Sequence, residues 1–273
     1  MKKLTIVVRM IFAAALIATV FLTLLSGLKT WSSDTGKKAV PPPKVAQPKM
    51  NYKLPLDEKL VYDVKAFGLP LATQTNNTRG IVDKNGRKAV NIFVTIKTHR
   101  WVILYSIDNT METFIDAETL KPLLYEERSK EKDWAAIETD QFMPNMTKYH
   151  KITGLKLDKE EKGEHKYAPA DWPQDELSIV YYIRHIDLEK NKKFTINACV
   201  DHELQTATVV VVKKQKLETI HGKKDVFYIT STLGESKFYI GADDLKIPYQ
   251  FEVKLNFGRM KAILKEYSPQ PKK

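Results

Sequence analysis

From Leu54 onward, apolar and polar residues alternate with a period of two, the pattern of a strand with one face on a core and one in water. Tyr249, Phe251, Val253, Leu255 and Phe257 alternate with Gln250, Glu252, Lys254 and Asn256. Leu60, Tyr62, Val64 and Ala66 form a second stripe, and Met260, Ala262 and Leu264 continue the pattern after Gly258, as a closing hairpin would. Asp83-Lys84-Asn85-Gly86 marks another hairpin, because Asn-Gly tolerates the positive φ angles of a type I′ turn. It joins a strand ending near Val82 to one running through Val90, Ile92, Val94 and Ile96. Residues 101–105 and 209–212 are apolar on both faces, which predicts central strands covered on each side.

One segment leaves this period. Leu177, Val180 and Tyr181 lie at helical spacing with Ile179, Ile183 and Ile186 beside them. This predicts a helix over about 174–187, with Asp171 and Asp175 as caps and Pro173 in the entry turn. A helix apolar over most of its circumference needs wrapping by a sheet. Residues 147–170 are charged and lack a sustained apolar period, so they read as a long loop or mobile hairpin. The expected fold is mainly β: one domain over 54–268, with about a dozen strands. Its form is a large curled antiparallel sheet or half-open barrel with one inserted helix, followed by a tail at 269–273.

Ahead of this domain, residues 10–28 form an uncharged, mostly apolar run of 19, preceded by a tail (1–9) carrying Lys2, Lys3 and Arg9. A span needs about 20 such residues, whereas the apolar core of a cleaved signal runs to about 7–15. The run therefore predicts a transmembrane anchor, with a cleaved signal as the alternative. No Cys follows it, which excludes a lipid-anchored lipoprotein. The basic tail argues for a cytoplasmic N-terminus, while Lys29, Lys37, Lys38 and Lys44 argue the other way, so charge alone leaves orientation open. Residues 29–53, with Pro41, Pro42, Pro43 and Pro48 among lysines, read as an extended linker.

The formal charge is +11, from 44 Lys+Arg against 33 Asp+Glu. Residues 1–53 hold nine basic side chains and one acid, leaving 35 against 32, or +3, for residues 54–273. A nucleic-acid binder concentrates positive charge on its folded domain, so nucleic acid is not an expected partner. One cysteine, Cys199, excludes an intrachain disulfide and a Cys-based zinc site.

Four stretches carry a family resemblance. They are Asp57-Glu58-Lys59-Leu60-Val61-Tyr62-Asp63-Val64 with Gly68-Leu69-Pro70; residues 107–116 with Leu120-Lys121-Pro122; residues 175–184 with their Leu-Ser, Tyr-Tyr and Arg positions; and residues 242–248 followed by Phe257-Gly258. Together they resemble the bacterial envelope family called domain of unknown function 3108, over nearly all of 54–268. The resemblance implies export, hence a cytoplasmic N-terminus, a single pass through the bacterial inner membrane and a periplasmic domain; the alternative is a cleaved, free periplasmic form. It implies no established reaction. Its curled-sheet architecture is similar to periplasmic lipid and lipoprotein carriers, an analogy of fold alone.

Candidate residues are few. Asp108, Glu112 and Asp116 fall at even spacing, so a strand puts them on one face, where carboxylates could do acid–base work or hold a cation; turn-capping is the plainer reading. Asp243-Asp244 reads as a turn. Asp201-His202-Glu203 reads as a solvated turn, because neighbours on a strand point to opposite faces. Cys199, in an apolar run, reads as a buried thiol. Arg184, on the apolar helix, needs a carboxylate partner, for which Asp63, Asp108 or Asp116 are available; headgroup recognition is the second reading. No His-Glu-x-x-His, Gly-x-Ser-x-Gly, P-loop or dinucleotide motif occurs, so no catalytic residue, metal or cofactor is expected. The expectation is a non-enzymatic binder or carrier of an apolar or amphipathic envelope ligand, contacted through Arg184, Tyr181, Trp101 and Tyr105. The alternatives are an envelope scaffold for another protein and, third, a hydrolase using the three carboxylates.

Overall fold

The computed structural model describes residues 56–102, 106–131, 134–255 and 258–269. The expected anchor and linker, Tyr105 and Phe257 lie outside the described residues, and among those described no helix is long and apolar enough to cross a membrane. Fourteen strands form one antiparallel sheet: β1 (Glu58–Ala66), β2 (Leu69–Lys84), β3 (Arg87–Thr98), β4 (Asp108–Asp116), β5 (Pro122–Glu131), β6 (Trp134–Met143), β7 (Met146–Thr153), β8 (Lys159–Lys166), β9 (Lys193–Val200), β10 (Glu203–Thr219), β11 (Gly222–Ser231), β12 (Ser236–Gly241), β13 (Pro248–Leu255) and β14 (Gly258–Pro269). The spatial order is β8-β7-β6-β5-β4-β3-β2-β1-β14-β13-β12-β11-β10-β9. Each strand pairs with its sequence neighbours except β8 and β9, which do not pair, and β14 comes back beside β1. The edges are therefore β8 and β9, consecutive in sequence, and the α-helix of the described residues, α1 (Ser178–His185), lies between them in the chain.

The period-two stripes become the inner face. Leu60, Tyr62, Val64 and Ala66 on β1, Val90, Ile92, Val94 and Ile96 on β3, and Met260, Ala262 and Leu264 on β14 are all buried. Asn85 (φ 55°) and Gly86 (φ 77°) make the expected type I′ turn between β2 and β3. The sheet curls around α1, seven of whose eight residues are buried. Asp175 ends the extended approach to α1, its Oδ1 accepting the backbone N–H groups of Leu177 and Ser178 at 2.8 Å each. The helix is shorter than expected because residues 174–177 do other work. Gln174 bridges β9 in parallel register, donating its N–H to the Asn197 carbonyl (2.8 Å) and accepting from the Cys199 N–H (2.8 Å).

Three expectations need correcting. Val212 is 49% exposed and Val210 half-buried while Val209 and Val211 are buried, so 209–212 is an ordinary one-sided strand whose outer face is apolar by composition only. Trp101 is 53% exposed in the connection after β3, not in a central strand; residues 103–105 lie outside the described set. For the charged 147–170 stretch the long loop gives way to the expected hairpin, built into the sheet: β7 and β8 pair in register from Met146↔Lys166 to Thr153↔Lys159. Its lack of apolar period reflects its place at the edge, where β8 has water on both faces.

Candidate functional site

Because β8 and β9 do not pair, the curl is closed by side chains, and they are unusually polar. One closure is a strap, residues 167–174. Tyr167 Oη donates among the carbonyls of Met143 (2.7 Å) and Met146 (2.9 Å), Trp172 Nε1 to that of Pro122 (3.1 Å), and Gln174 Nε2 to that of Leu120 (3.3 Å). The other closure is the tip of the β9–β10 hairpin. Asp201 (φ 46°) and His202 (φ 65°) form a two-residue turn of positive φ, which swings both side chains toward β6 and β7. His202 Nδ1 lies 2.8 Å from Asp140 Oδ1 and Nε2 3.0 Å from Glu138 Oε2, while its ring stacks on Tyr149 at 4.8 Å. Lys151 Nζ bridges Glu138 Oε1 (3.0 Å) and Asp201 Oδ1 (3.1 Å). The tip is thus docked and buried; the expectation of a solvated turn is overturned because the turn geometry unites residues that a strand would set apart.

Behind the tip lies a second layer of carboxylates. Glu127 accepts from Tyr125 Oη (2.8 Å) and Ser129 Oγ (2.5 Å), Glu176 Oε1 accepts the Asp201 N–H (3.0 Å), and Asp175 Oδ2 meets Thr113 Oγ1 at 2.5 Å. All three are buried. Burial, with Glu138 nearby, pushes the Glu127 carboxyl up to about 7. Burial and then Glu127 hold Glu176 well above the usual carboxylate range, and burial lifts Asp175 to about 6 despite its hydrogen bonds. His202 goes the other way from a normal buried imidazole: burial opposes its charge, but the hydrogen bonds to Asp140 and Glu138 outweigh that and lift it to about 10. It is therefore an imidazolium donating from both nitrogens. Glu138, though burial pushes it up, ends below its ordinary value because His202 and Lys151 hold its charged form.

Glu138, Asp201 and His202 present ligand-type atoms within 4.8 Å of one another. The position between the two carboxylates is taken by the Lys151 ammonium, which burial disfavours but Glu138 and Asp201 hold firmly charged. Both His202 nitrogens are committed to carboxylates. The cluster satisfies its charges internally, so its chemistry is that of a proton-holding latch.

The expected site residues are dispersed. Arg184 and Tyr181 are buried together on α1, the guanidinium 5.6 Å from the Tyr181 ring centre. Arg184 Nη1 and Nη2 donate to Glu58 Oε2 (2.8 Å) and Oε1 (2.9 Å), and Nη2 also to the Leu245 carbonyl (3.1 Å). The partner is Glu58, not Asp63, Asp108 or Asp116. Trp101 is on the outer rim. Asp108, Glu112 and Asp116 do line β4, but each is engaged separately: Asp108 with Lys97 (3.2 Å), Glu112 with Asn91 (2.8 Å) and Arg79 (3.5 Å), and Asp116 with the N–H groups of Glu118 and Thr119. Lys246 N–H donates to Asp243 Oδ1 (3.1 Å), a turn as expected. Cys199 is buried, and burial drives its thiol far from ionisation.

Sequence reasoning from motifs misses Glu138, Asp140 and Glu58, yet a signal for them exists. Glu138 and Asp140 lie in phase with Ala136 and Phe142, and Glu58 lies in phase with Leu60, Tyr62 and Val64. A carboxylate in register with an apolar stripe faces the core and must find a partner or a proton there.

No curated protein sequence matches the chain. Among solved structures, it is similar to the crystal structure of a beta-barrel-like protein of domain of unknown function DUF1849 from Brucella abortus, with a TM-score of 0.53 at 13% identity, covering 78% of this chain and 97% of that one. That likeness concerns the fold alone. The family described as "Protein of unknown function (DUF3108)" matches residues 61–265, three quarters of the chain, and this protein belongs to it.

Proposed function

We propose that this is a non-enzymatic envelope domain, tethered to the inner membrane through residues 10–28 and standing in the periplasm, that binds an apolar or amphipathic ligand inside its curled sheet. The observation that supports it most is the seam. The sheet has a continuous inner face but no strand pairing between β8 and β9, so the interior opens without breaking a hydrogen-bonded ladder. The inner wall is amphipathic: mostly apolar on β1–β3 and β9–β14, apart from Glu58, Gln74 and Thr78, with carboxylates, Tyr125 and Ser129 on β5 and β6. Ligand pockets commonly combine a large apolar lining with a few placed polar groups. In this reading Tyr181 and the apolar wall meet the ligand, and Arg184, its donors taken by Glu58 and Leu245, fixes α1 in place. On β4, Asp108, Glu112 and Asp116 each have their own partner, so the three are not gathered as one acid–base cluster.

Native mass spectrometry with lipid extraction on residues 54–273, exported to the periplasm, tests this. A reproducible bound amphiphile is the expected result; a clean apo mass from every preparation would remove the reading. A second reading has its own observation: β8, exposed along both faces, presents an unpaired edge to which another protein's strand can add. It calls for a co-purifying protein whose recovery falls when a proline is placed in β8.

A further inference from the structure

Around β1 the sheet presents one rim whose turns are apolar at their tips and basic at their flanks. The β1–β2 turn exposes Phe67 (66%) and Leu69 (55%), and the β3–β4 connection exposes Trp101 (53%). These are spatial neighbours: the His99 N–H donates to the Leu71 carbonyl (2.9 Å), and Gly258, at the start of β14, lies against the Phe67 ring. Next along the rim, Arg259 Nη1 donates to the Glu235 carbonyl (3.2 Å) in the turn between β11 and β12. There an outer-face pocket of about 320 Å³ is lined by Thr208, Thr230, Thr232, Glu235, Lys237 and Arg259 among others. It offers hydroxyls and two cations to a small anionic group, with the Glu235 carboxylate in the same lining engaged by Lys254.

Charge follows the same geography. The described turns with their flanking residues, 65–70, 97–102, 106–109, 230–237, 254–255 and 258–259, hold six basic residues (Lys65, Lys97, Arg100, Lys237, Lys254, Arg259) and two acids (Asp108, Glu235), a net +4. The rest of 54–273 then has 29 basic against 30 acidic residues, a net −1. Aromatic and aliphatic tips ringed by cations are what an interface between water and anionic lipid selects: apolar groups enter the headgroup boundary while Lys and Arg remain at its surface. Lys65 and Lys237 lie 3.9 Å and 4.0 Å from Asp63 and Glu252, so the rim keeps a net +2 when these two partners are counted with it.

We propose that this rim docks on an anionic phospholipid bilayer, with Phe67, Leu69 and Trp101 entering the interface and the pocket beside Arg259 receiving a lipid phosphate. The linker joins β1 at the other end, about 26 Å away at a strand rise of about 3.3 Å per residue, so the docked domain points its linker end off that surface. The inference does not rest on the interior ligand.

The test is flotation of residues 54–273 with vesicles of phosphatidylcholine alone or with phosphatidylglycerol added. Binding is expected only to the anionic vesicles and to weaken as salt is raised. Arg100→Ala lowers partitioning about fivefold, and Trp101→Ser lowers it about tenfold. Both positions are exposed turn residues, so an unchanged unfolding midpoint separates lost docking from lost folding. No flotation, equal flotation on neutral vesicles, or wild-type flotation of both folded variants would overturn the proposal.

Discussion

The interior buries charge in two places, and the two are built on opposite principles. At one side of α1, Arg184 and Glu58 form a single fork-to-fork pair, with one further donor to the Leu245 carbonyl, in otherwise apolar surroundings. At the seam, Glu138, Asp140 and Asp201 hold the two cations His202 and Lys151, with the carboxyls of Glu127 and Glu176 buried behind them and Asp175 bonded to Thr113. The first arrangement balances charge within one pair, so it is a fixed lock. The second has more carboxylates than cations, so it must hold protons, and its strength follows pH.

Breaking the lock should have the largest effect. Arg184→Met leaves Glu58 buried without its cation and should cost about 3–5 kcal/mol in urea unfolding. Pairing it with Glu58→Leu should recover most of that loss, because the penalty lies in the orphaned charge. A double variant as unstable as the single one would mean that the pair positions α1 in a way its volume alone does not.

The seam should respond to pH instead. His202 has a folded value raised to about 10, so its contribution is fully present below its unfolded value near 6.5 and is lost as pH rises through 10. Glu127, raised to about 7, and Asp175, raised to about 6, act in the same direction: each costs stability once pH passes the unfolded carboxylate value. Glu138, lowered, opposes them only under acid conditions. A tenfold change in a proton's affinity is worth about 1.4 kcal/mol, so stability should fall by about a few kcal/mol between roughly pH 6 and 10. His202→Asn should be destabilised at pH 6 and show a flatter profile above it. Glu127→Gln should gain about 1–3 kcal/mol at pH 8, since it removes the cost of ionising a buried carboxyl, with little change at pH 5. A Glu127→Gln protein less stable than wild type at pH 8 would show that the carboxylate is held charged by its partners. On β4, Asp108→Ala should cost less than about 1 kcal/mol, as exposed pairs do, and leave the seam's pH profile unchanged.

These two regions also differ in how far the sequence reveals them. The apolar stripes of β1, β3 and β14, the Asn85-Gly86 turn and the Asp175 cap are written locally, within a few residues, and each forms where the period and the turn chemistry place it. Arg184 is visible as a cation needing a partner, but Glu58 is 126 positions away, and only its phase with Leu60 betrays it. The seam is harder still. His202 meets Asp140 and Glu138 across more than 60 positions, through a curl that no local pattern encodes. Asp201-His202 reads as a turn from sequence and is one; what the turn docks against depends on where the ninth and tenth strands come round to the sixth and seventh. Residues 209–212 mislead for the converse reason, since four consecutive valines hide which face is wet.

The most direct measurement is native-state hydrogen exchange at pH 6 and pH 8.5, corrected for intrinsic rates. The lock and the seam predict different answers in one experiment. Amides at the hairpin tip, above all the Asp201 N–H bonded to Glu176, should lose protection at the higher pH, while those of α1 from Ile179 to Ile186 should keep theirs. Equal protection loss in both regions, or none at the tip, would contradict a seam that opens while the helix stays locked.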